Sequence, residues 1–180
     1  MSCYNFVTRG RVESCIFSLV LQCERLMILR IALVTVSLCT LPLAAQANPA
    51  IENMRKEATF LRDNKDRDGI KVTPSGLQYE IIKPGKGKKP SAQSQVKVHY
   101  RGQLLSGKTF DSSFARGKPA VFGVNQVIAG WTEALQMMQE GATWKLYIPS
   151  KLGYGARGAG LTIGPNELLI FDVELIEVLN

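Results

Sequence analysis

Apolar residues in the second half of the sequence recur at every second position in several separate segments. The alternation is clearest at 96–101, 143–148 and 171–175, where apolar side chains alternate with charged or polar ones. Successive side chains of a β-strand point to opposite faces, so each segment predicts a strand with one buried face. Residues 77–82 and 120–124 are two further strand candidates. The segments do not alternate regularly with helices, which favours an antiparallel sheet.

One helix is predicted inside this region. The sequence WTEALQMMQ follows Gly130, and Gly141 is expected to end the helix, because glycine is common just beyond a helix C-terminus. Ala134, Leu135 and Met138 lie at helical spacing, and we expect them to face the sheet. Together the patterns predict an α+β fold in which a twisted antiparallel sheet of about five strands wraps around one short α-helix.

A second short helix is predicted ahead of the sheet. Asn48-Pro49 is a favourable start, since asparagine caps helices and proline suits the first turn. An apolar stripe then recurs at helical spacing and ends before Asp63: Ile51, Met54, Ala58 and Leu61. A single narrow stripe on so short a helix is marginal alone, so the helix must pack on something or fray. Residues 48–74 are thus predicted to be a short helix and charged linker, and residues 75–180 the sheet domain.

The first 47 residues resemble a targeting segment. Arg30 is followed by an apolar run over 31–43, and Ala45-Gln46-Ala47 has the small-x-small pattern of a signal-peptidase site. The run is shorter than the roughly 20 residues that cross a bilayer. Residues 27–47 therefore predict a cleaved signal peptide and a periplasmic or secreted protein, with a retained membrane anchor as the alternative. Residues 1–26 form an upstream extension without periodicity, which an initiator at Met27 would explain.

The charge of the chain gives little support for nucleic-acid binding. The formal net charge is +7. Four of the basic residues cluster in the Gly/Pro-rich stretch KPGKGKKP: Lys83, Lys86, Lys88 and Lys89. No aromatic residues interleave with them, as a base-stacking surface would require. We interpret the cluster as a solvated turn and expect no nucleic-acid partner.

The side chains needed for nucleophilic or metal-assisted catalysis are scarce. His99 is the only histidine, and none of the four cysteines lies beyond Cys39. A Ser-His-Asp or Cys-His arrangement therefore has little to build on, and no group of residues has the spacing of metal ligands. The alternation of its strand places His99 on the polar face, so we expect it to face solvent.

Three glycines fit a dinucleotide-binding pattern by spacing alone. Gly153, Gly155 and Gly158 match G-x-G-x-x-G after a predicted strand. That fingerprint also requires a helix to begin there, so that its N-terminus faces the pyrophosphate. Gly164-Pro165 follows instead, without a helical pattern. We interpret the glycines as part of a flexible loop that carries Tyr154.

Four segments in sequence order resemble the FK506-binding protein family of peptidyl-prolyl isomerases. They are VHYRGQLLSGKTFDSS (98–113), FGVNQVIAGWTEAL (122–135), GYGARGAG (153–160) and NELLIFDVELIEV (166–178). The segments TPSGLQYE and IGPNELLIF are most similar to the bacterial envelope branch, the macrophage-infectivity-potentiator type. The resemblance covers about the whole sheet region and implies the same fold as the periodicity.

The resemblance implies an aromatic pocket that holds the proline ring of a substrate. By position in the motifs, the catalytic residues would be Asp111, Tyr154 and Trp131. The substrate-binding residues would be Tyr100, Phe110, Phe122, Val127, Ile128, Ile163 and Phe171. In this scheme Trp131 is the floor, and the Ile128 N–H and the Tyr154 hydroxyl hold carbonyl groups of the substrate. Two roles are open for Asp111, which either orients Tyr154 or faces the carbonyl carbon of the twisting bond.

Two positions depart from the family pattern. Ala120 stands where an aromatic residue is often found, and Ala159 stands where some members carry a histidine. Both changes are expected to loosen ligand binding or to alter the preference for the residue before proline. The spacing alone favours Tyr100, Phe122 and Phe171 as ordinary core residues, and it is the resemblance that assigns them to a pocket.

The implied activity is that of a rotamase, which accelerates rotation about Xaa-Pro bonds and assists the folding of exported proteins. Its partners would be proline-containing unfolded or partly folded polypeptides and macrolides of the FK506 and rapamycin type, with no cofactor. Members of this branch often carry a helical dimerisation domain. Because the segment 48–74 is shorter than such a domain, a monomer is expected. The alternative is a proline-pocket binding module or holdase chaperone with little turnover.

Overall fold

The computed structural model describes residues 48–179, so the predicted signal peptide (27–47) and upstream extension (1–26) lie outside the described residues. The elements in chain order are α1 (Pro49–Asn64), β1 (Ile70–Val72), β2 (Gln78–Lys83), β3 (Gln95–Leu104), β4 (Thr109–Ser112), β5 (Ala120–Gly123), α2 (Ala129–Met137), β6 (Thr143–Ile148) and β7 (Leu169–Leu179). Short 3-10 turns cover Val124–Gln126, Ser150–Leu152 and Gly155–Arg157.

The strands form one antiparallel sheet in the order β1-β2-β6-β7-β3-β4, and β5 pairs with β3 beyond this path. The longest pairing joins β3 to β7, from Gln95 opposite Leu179 to Leu104 opposite Leu169. The predicted α+β class and antiparallel arrangement are confirmed. Seven strands are present in the described residues rather than about five, and the additional strands are β1 and β4. They have three and four residues.

Helix α2 packs against the sheet through the residues that its periodicity predicted. Ala134, Leu135 and Met138 are fully buried in the core. The close approach depends on Gly130, because a Cβ atom there would lie 2.5 Å from Cγ2 of Ile148 on β6. The helix ends at Met137, earlier than expected, and Gly141 shapes the following turn with a φ of 85°.

Helix α1 contacts the domain through a different face from the one that its apolar stripe predicted. Ile51 is 66% exposed and Met54 is 56% exposed, and Ala58 is also exposed. The face that meets the domain consists of Asn53, Glu57, Phe60, Leu61 and Asn64. Of the apolar stripe only Leu61 belongs to this face, because the surface opposite the helix offers backbone N–H and C=O groups, which bind polar side chains.

The C-terminal half of α1 is held by a buried amide pair and an aromatic contact. Asn64 Nδ2 donates to Gln78 Oε1 at 2.8 Å, and Gln78 Nε2 donates to the Leu61 carbonyl at 2.8 Å. The rings of Phe60 and Tyr147 lie 5.6 Å apart.

Among residues 48–179, no helix combines the length and the apolar character needed to cross a membrane.

Candidate active site

A cavity of about 420 Å³ opens between the start of α2 and the strands that face it. Its lining residues are Tyr100, Asp111, Phe122, Gln126, Val127, Ile128, Trp131, Tyr154 and Phe171. Eight of the ten residues predicted from the sequence therefore meet in one place. Gln126 was not predicted. The volume lies within the range of small-ligand pockets.

The floor of the cavity is the indole of Trp131. This residue is only 4% exposed. Three rings meet it nearly edge-on: Tyr100 at 5.3 Å, Phe122 at 5.8 Å and Phe171 at 5.2 Å between centroids. Edge-to-face pairs are a favoured aromatic arrangement, so the three walls fix the orientation of the floor. The buried Nε1–H of Trp131 has no hydrogen-bond partner within the described residues.

The polar side of the cavity is a three-residue network of Tyr100, Asp111 and Arg116. The Tyr100 hydroxyl donates to Asp111 Oδ2, and Arg116 Nη1 donates to Asp111 Oδ1. Arg116 Nη2 also donates to the Tyr100 hydroxyl at 2.9 Å, and the guanidinium lies 5.5 Å from the centre of the Tyr100 ring. Both oxygens of Asp111 are thus engaged within this network.

The network determines the charges of its members. Burial raises the pKa of Tyr100 above its usual value, and the hydrogen bond to Asp111 raises it further. Burial also acts to raise the pKa of Asp111, but the hydrogen bonds from Tyr100 and Arg116 outweigh it and hold that pKa below its ordinary value. The hydrogen bonds that Arg116 donates to the Tyr100 hydroxyl and to Asp111 raise the pKa of Arg116. Near neutrality the cavity is therefore bordered by a neutral phenol and a closed ion pair.

The other hydrogen-bonding groups at the edge are Tyr154 and the backbone of Ile128. Tyr154 follows the Ser150–Leu152 turn, and the residue is 41% exposed. Ile128 is the N-cap of α2 and has no side-chain cap. The first N–H groups of a helix lack intrahelical partners, so the Ile128 N–H is suited to bind a carbonyl oxygen. Thr132 Oγ1 holds the preceding turn by donating to the Val124 carbonyl at 2.8 Å.

Two of the predicted substrate-binding residues, Phe110 and Ile163, do not line the cavity. Phe110 lies behind the wall, edge-on to Phe171 with the ring centroids 5.4 Å apart. A Cβ atom at Gly102 would approach both of these rings, at 2.6 Å and 2.7 Å, so a glycine is needed at this strand position. Ile163 is buried and pairs with Ala159 in an isolated bridge of the loop beyond Tyr154. A direct role in substrate binding stays a prediction for both.

His99 is less accessible than its strand pattern predicted. It is half-buried, its Nδ1 lies 2.9 Å from Ser113 Oγ, and its ring stacks on Phe114 at 4.6 Å. Ser113 is fully buried, and its Oγ accepts from the Tyr100 N–H at 2.8 Å. His99 therefore lies on the polar face of its strand, as predicted, but neighbouring side chains cover part of its surface. The reason is that the loop after β4 folds over this face of β3.

The sequence reasoning missed Arg116 and Gln126. Arg116 lies in an exposed turn after β4, where no periodic pattern marks it. The signal that would have found it is its charge, five residues beyond the acidic Asp111. Within residues 48–179, no group of three or more His, Cys, Asp or Glu side chains is placed to hold a metal ion.

Two family models match the chain. The model described as FKBP-type peptidyl-prolyl cis-trans isomerase covers residues 86–176, which include every residue that lines the cavity. The model of the domain amino-terminal to this isomerase covers residues 41–81, which include α1 and β1.

The chain is also similar to curated proteins and to a solved structure. The outer membrane protein MIP of Legionella longbeachae is 54% identical over 129 residues, 72% of this chain and 55% of that protein. The FKBP-type peptidyl-prolyl cis-trans isomerase FkpA of Aeromonas hydrophila is 51% identical over 129 residues, 72% of this chain and 48% of that protein. The chain spans about half the length of these curated relatives. A crystal structure of a peptidyl-prolyl cis-trans isomerase from Pseudomonas syringae has a TM-score of 0.70 and 41% identity, covering 76% of this chain and all of that one.

Proposed function

Because the chain belongs to the family of FKBP-type peptidyl-prolyl cis-trans isomerases, we propose that it accelerates rotation about Xaa-Pro peptide bonds. The observation that carries the proposal is the apolar cavity with Trp131 as its floor and hydrogen-bonding groups at its edge. Its substrates are proline-containing segments of unfolded or partly folded polypeptides. Its biological role is to assist the folding of exported proteins.

Rotation about an Xaa-Pro bond needs neither a nucleophile nor a proton donor. The reaction disrupts amide resonance, at a barrier of about 18–20 kcal/mol, and breaks no covalent bond. Catalysis therefore requires that the twisted amide be bound more tightly than the planar amide. The planar form is the more polar of the two, because resonance separates charge across it. An apolar cavity destabilises that form more than the twisted form.

Desolvation accounts for only part of the acceleration. Burying an unpaired amide costs about 2–7 kcal/mol, and the planar and twisted forms differ by a fraction of this. Half of that cost corresponds to about one to two and a half powers of ten in rate. Positioning supplies the rest: the proline ring lies on Trp131, and the flanking carbonyls bind the Tyr154 hydroxyl and the Ile128 N–H.

Asp111 contributes by holding the Tyr100 wall. Its two oxygens bind Tyr100 and Arg116, which leaves orientation of Tyr154 without a supporting hydrogen bond. The negative charge stays beside the cavity, where it faces a carbonyl carbon that loses resonance donation as the bond twists. Replacing Arg116 by methionine tests this role, because the variant keeps most of the side chain and removes the partner of the carboxylate.

A combined assay distinguishes turnover from binding alone. The isomerisation of a proline tetrapeptide is measured by protease coupling, and the aggregation of a denatured client is measured in parallel. An isomerase accelerates the first reaction in proportion to its concentration and is inhibited by an FK506-type macrolide. Suppressed aggregation without acceleration of the peptide would support the holdase alternative and overturn the proposal.

Three further properties belong to the same proposal. Export to the periplasm after cleavage of residues 27–47 is supported by the apolar run and the small-x-small site, and cell fractionation tests it. Macrolides of the FK506 and rapamycin type are expected to occupy the cavity, which titration calorimetry measures. A monomer remains the expected state in solution, and light scattering of the purified protein tests this.

A further inference from the structure

Helix α1 is held against the domain largely by polar contacts, and these contacts converge on one loop. The Tyr154 loop, residues 150–166, begins after β6 and carries Tyr154 to the edge of the cavity. Asn53 and Glu57 lie one turn apart on the inner face of α1. Each binds a backbone group at a different end of this loop.

Glu57 binds the start of the loop. Its Oε2 accepts the backbone N–H of Ser150 at 3.0 Å. Ser150 begins a 3-10 turn that the Gly153 N–H closes on the Ser150 carbonyl at 3.0 Å, and Tyr154 comes next in the chain. An acceptor on the first N–H of such a turn satisfies a group that the turn itself leaves unpaired. Glu57 therefore fixes the backbone immediately before Tyr154.

Asn53 binds the end of the loop. Its Nδ2 donates to the Pro165 carbonyl at 2.9 Å, and the side chain of the next residue, Asn166, donates to the Ala50 carbonyl at 3.5 Å. The Asn166 N–H in turn donates to the Gly155 carbonyl at 2.8 Å. Gly155, the residue after Tyr154, is thus connected through one backbone hydrogen bond to Asn166, and α1 holds the segment Pro165–Asn166.

We propose that α1 acts as a brace for the Tyr154 loop, with Glu57 and Asn53 as positioning residues for substrate binding. The inference rests on the proposed isomerase function, because it assigns Tyr154 to the substrate. The two contacts order the loop before the substrate arrives, so that binding does not have to supply that order. Loss of a contact is therefore expected to raise KM and leave kcat nearly unchanged.

The test compares three variants of the purified protein. In Glu57→Ala the Ser150 N–H loses its acceptor, so KM for a proline tetrapeptide should rise about three- to tenfold, with kcat within about twofold. Amide hydrogen exchange over residues 150–166 should accelerate in parallel. Glu57→Gln keeps an acceptor oxygen at the same position, so its KM and its hydrogen-exchange rates should be close to those of the wild-type protein. The matched control is Glu52→Ala, which removes a carboxylate from the exposed face of the same helix, where it pairs with Lys56.

Each outcome decides the proposal. Unchanged exchange and KM in a folded Glu57→Ala protein would overturn it, and so would a Glu57→Gln variant as defective as the alanine variant. If Glu57→Ala does not fold, Asn53→Asp takes its place, because it sets a carboxylate against the Pro165 carbonyl and should loosen the same loop. Hydrogen exchange is measured without turnover, so it tests the brace even if the wild-type protein has no isomerase activity. That lack of activity would refute the proposed function only.

Discussion

The hydroxyl of Tyr154 provides the sharpest test of the mechanism, because removing it should change catalysis without changing the fold. The residue is 41% exposed, and its hydroxyl takes part in none of the side-chain hydrogen bonds found within residues 48–179. Tyr154→Phe keeps the ring and its packing. The free energy of unfolding should therefore change by no more than about 0.5 kcal/mol, the usual limit for a surface substitution.

The expected loss of activity follows from one hydrogen bond. A hydrogen bond of this kind contributes about 0.5–1.5 kcal/mol net. At about 1.4 kcal/mol per tenfold, its removal from the transition state lowers kcat/KM about two- to twelvefold. The cavity and its floor remain, so proline peptides should still bind.

The measurement is kcat/KM for an Xaa-Pro tetrapeptide, alongside urea unfolding of the same preparation. Tyr79→Phe is the matched control, because Tyr79 stacks on Trp144 outside the cavity and the chemical change is identical. The control should retain full activity. An undiminished kcat/KM in Tyr154→Phe would remove its hydroxyl from the mechanism, and a stability loss above about 1 kcal/mol would show that the hydroxyl supports the fold.

Three other predictions concern the floor, the protons and the processing of the chain. Trp131→Ala should destabilise the protein by about 3–5 kcal/mol in denaturant unfolding, because it removes a buried ring with three aromatic contacts; a loss below about 1 kcal/mol would contradict this packing. Turnover should be nearly flat from about pH 6 to 8, since the pKa of Asp111 lies below its ordinary value and the carboxylate stays ionised throughout. Its contribution to the stability of the fold is lost only as the pH falls through that lowered pKa. A bell-shaped profile that His99→Gln flattens would instead demonstrate a general acid or base. Intact mass of the exported protein should show that it begins at or near Asn48, whereas retention of 27–47 would indicate an anchor.

The sequence predicted those elements in which the hydrophobic repeat extends over enough residues to be recognised. Strands β3, β6 and β7 span six or more residues, and their apolar side chains recur at every second position. In β6 the opposite face is buried as well at Tyr147, where Phe60 of α1 covers it. The buried side of α2 recurs at helical spacing. Strands β1 and β4 were not predicted because three or four residues are too few for alternation to be distinguished from chance. Strand β5 is equally short, but it lies in the segment 120–124, where four of the five residues are apolar. Their pairing depends on neighbours that lie elsewhere in the chain.

The orientation of α1 could not be predicted because its apolar stripe and its binding face differ. Hydrophobic periodicity identifies the inner face of a helix only where burial of apolar surface holds the helix in place. In α1 the Asn53 and Glu57 side chains bind backbone groups, and Ile51 and Met54 remain exposed. The positions of those backbone groups are a property of the folded domain.

The aromatic residues of the candidate site and its polar residues Asp111 and Tyr154 were predictable, whereas the ion pair of Asp111 with Arg116 was not. Trp131 and the rings around it lie in segments that the family resemblance identifies, and they meet in the cavity. Arg116 was missed because its role comes from reaching Asp111 and Tyr100 across a turn. Contacts of this kind depend on side-chain direction in the folded protein, which sequence spacing does not specify.

The central claim is that the Trp131 cavity catalyses rotation of the bound Xaa-Pro bond, and exchange NMR measures that rotation directly. A proline peptide at equilibrium gives separate cis and trans signals, because uncatalysed exchange takes tens of seconds or longer. With a catalytic amount of the protein, exchange cross-peaks should grow in proportion to protein concentration and disappear when an FK506-type macrolide fills the cavity. The claim would be contradicted if the peptide signals shift on binding while the rate of cis–trans exchange stays at its uncatalysed value.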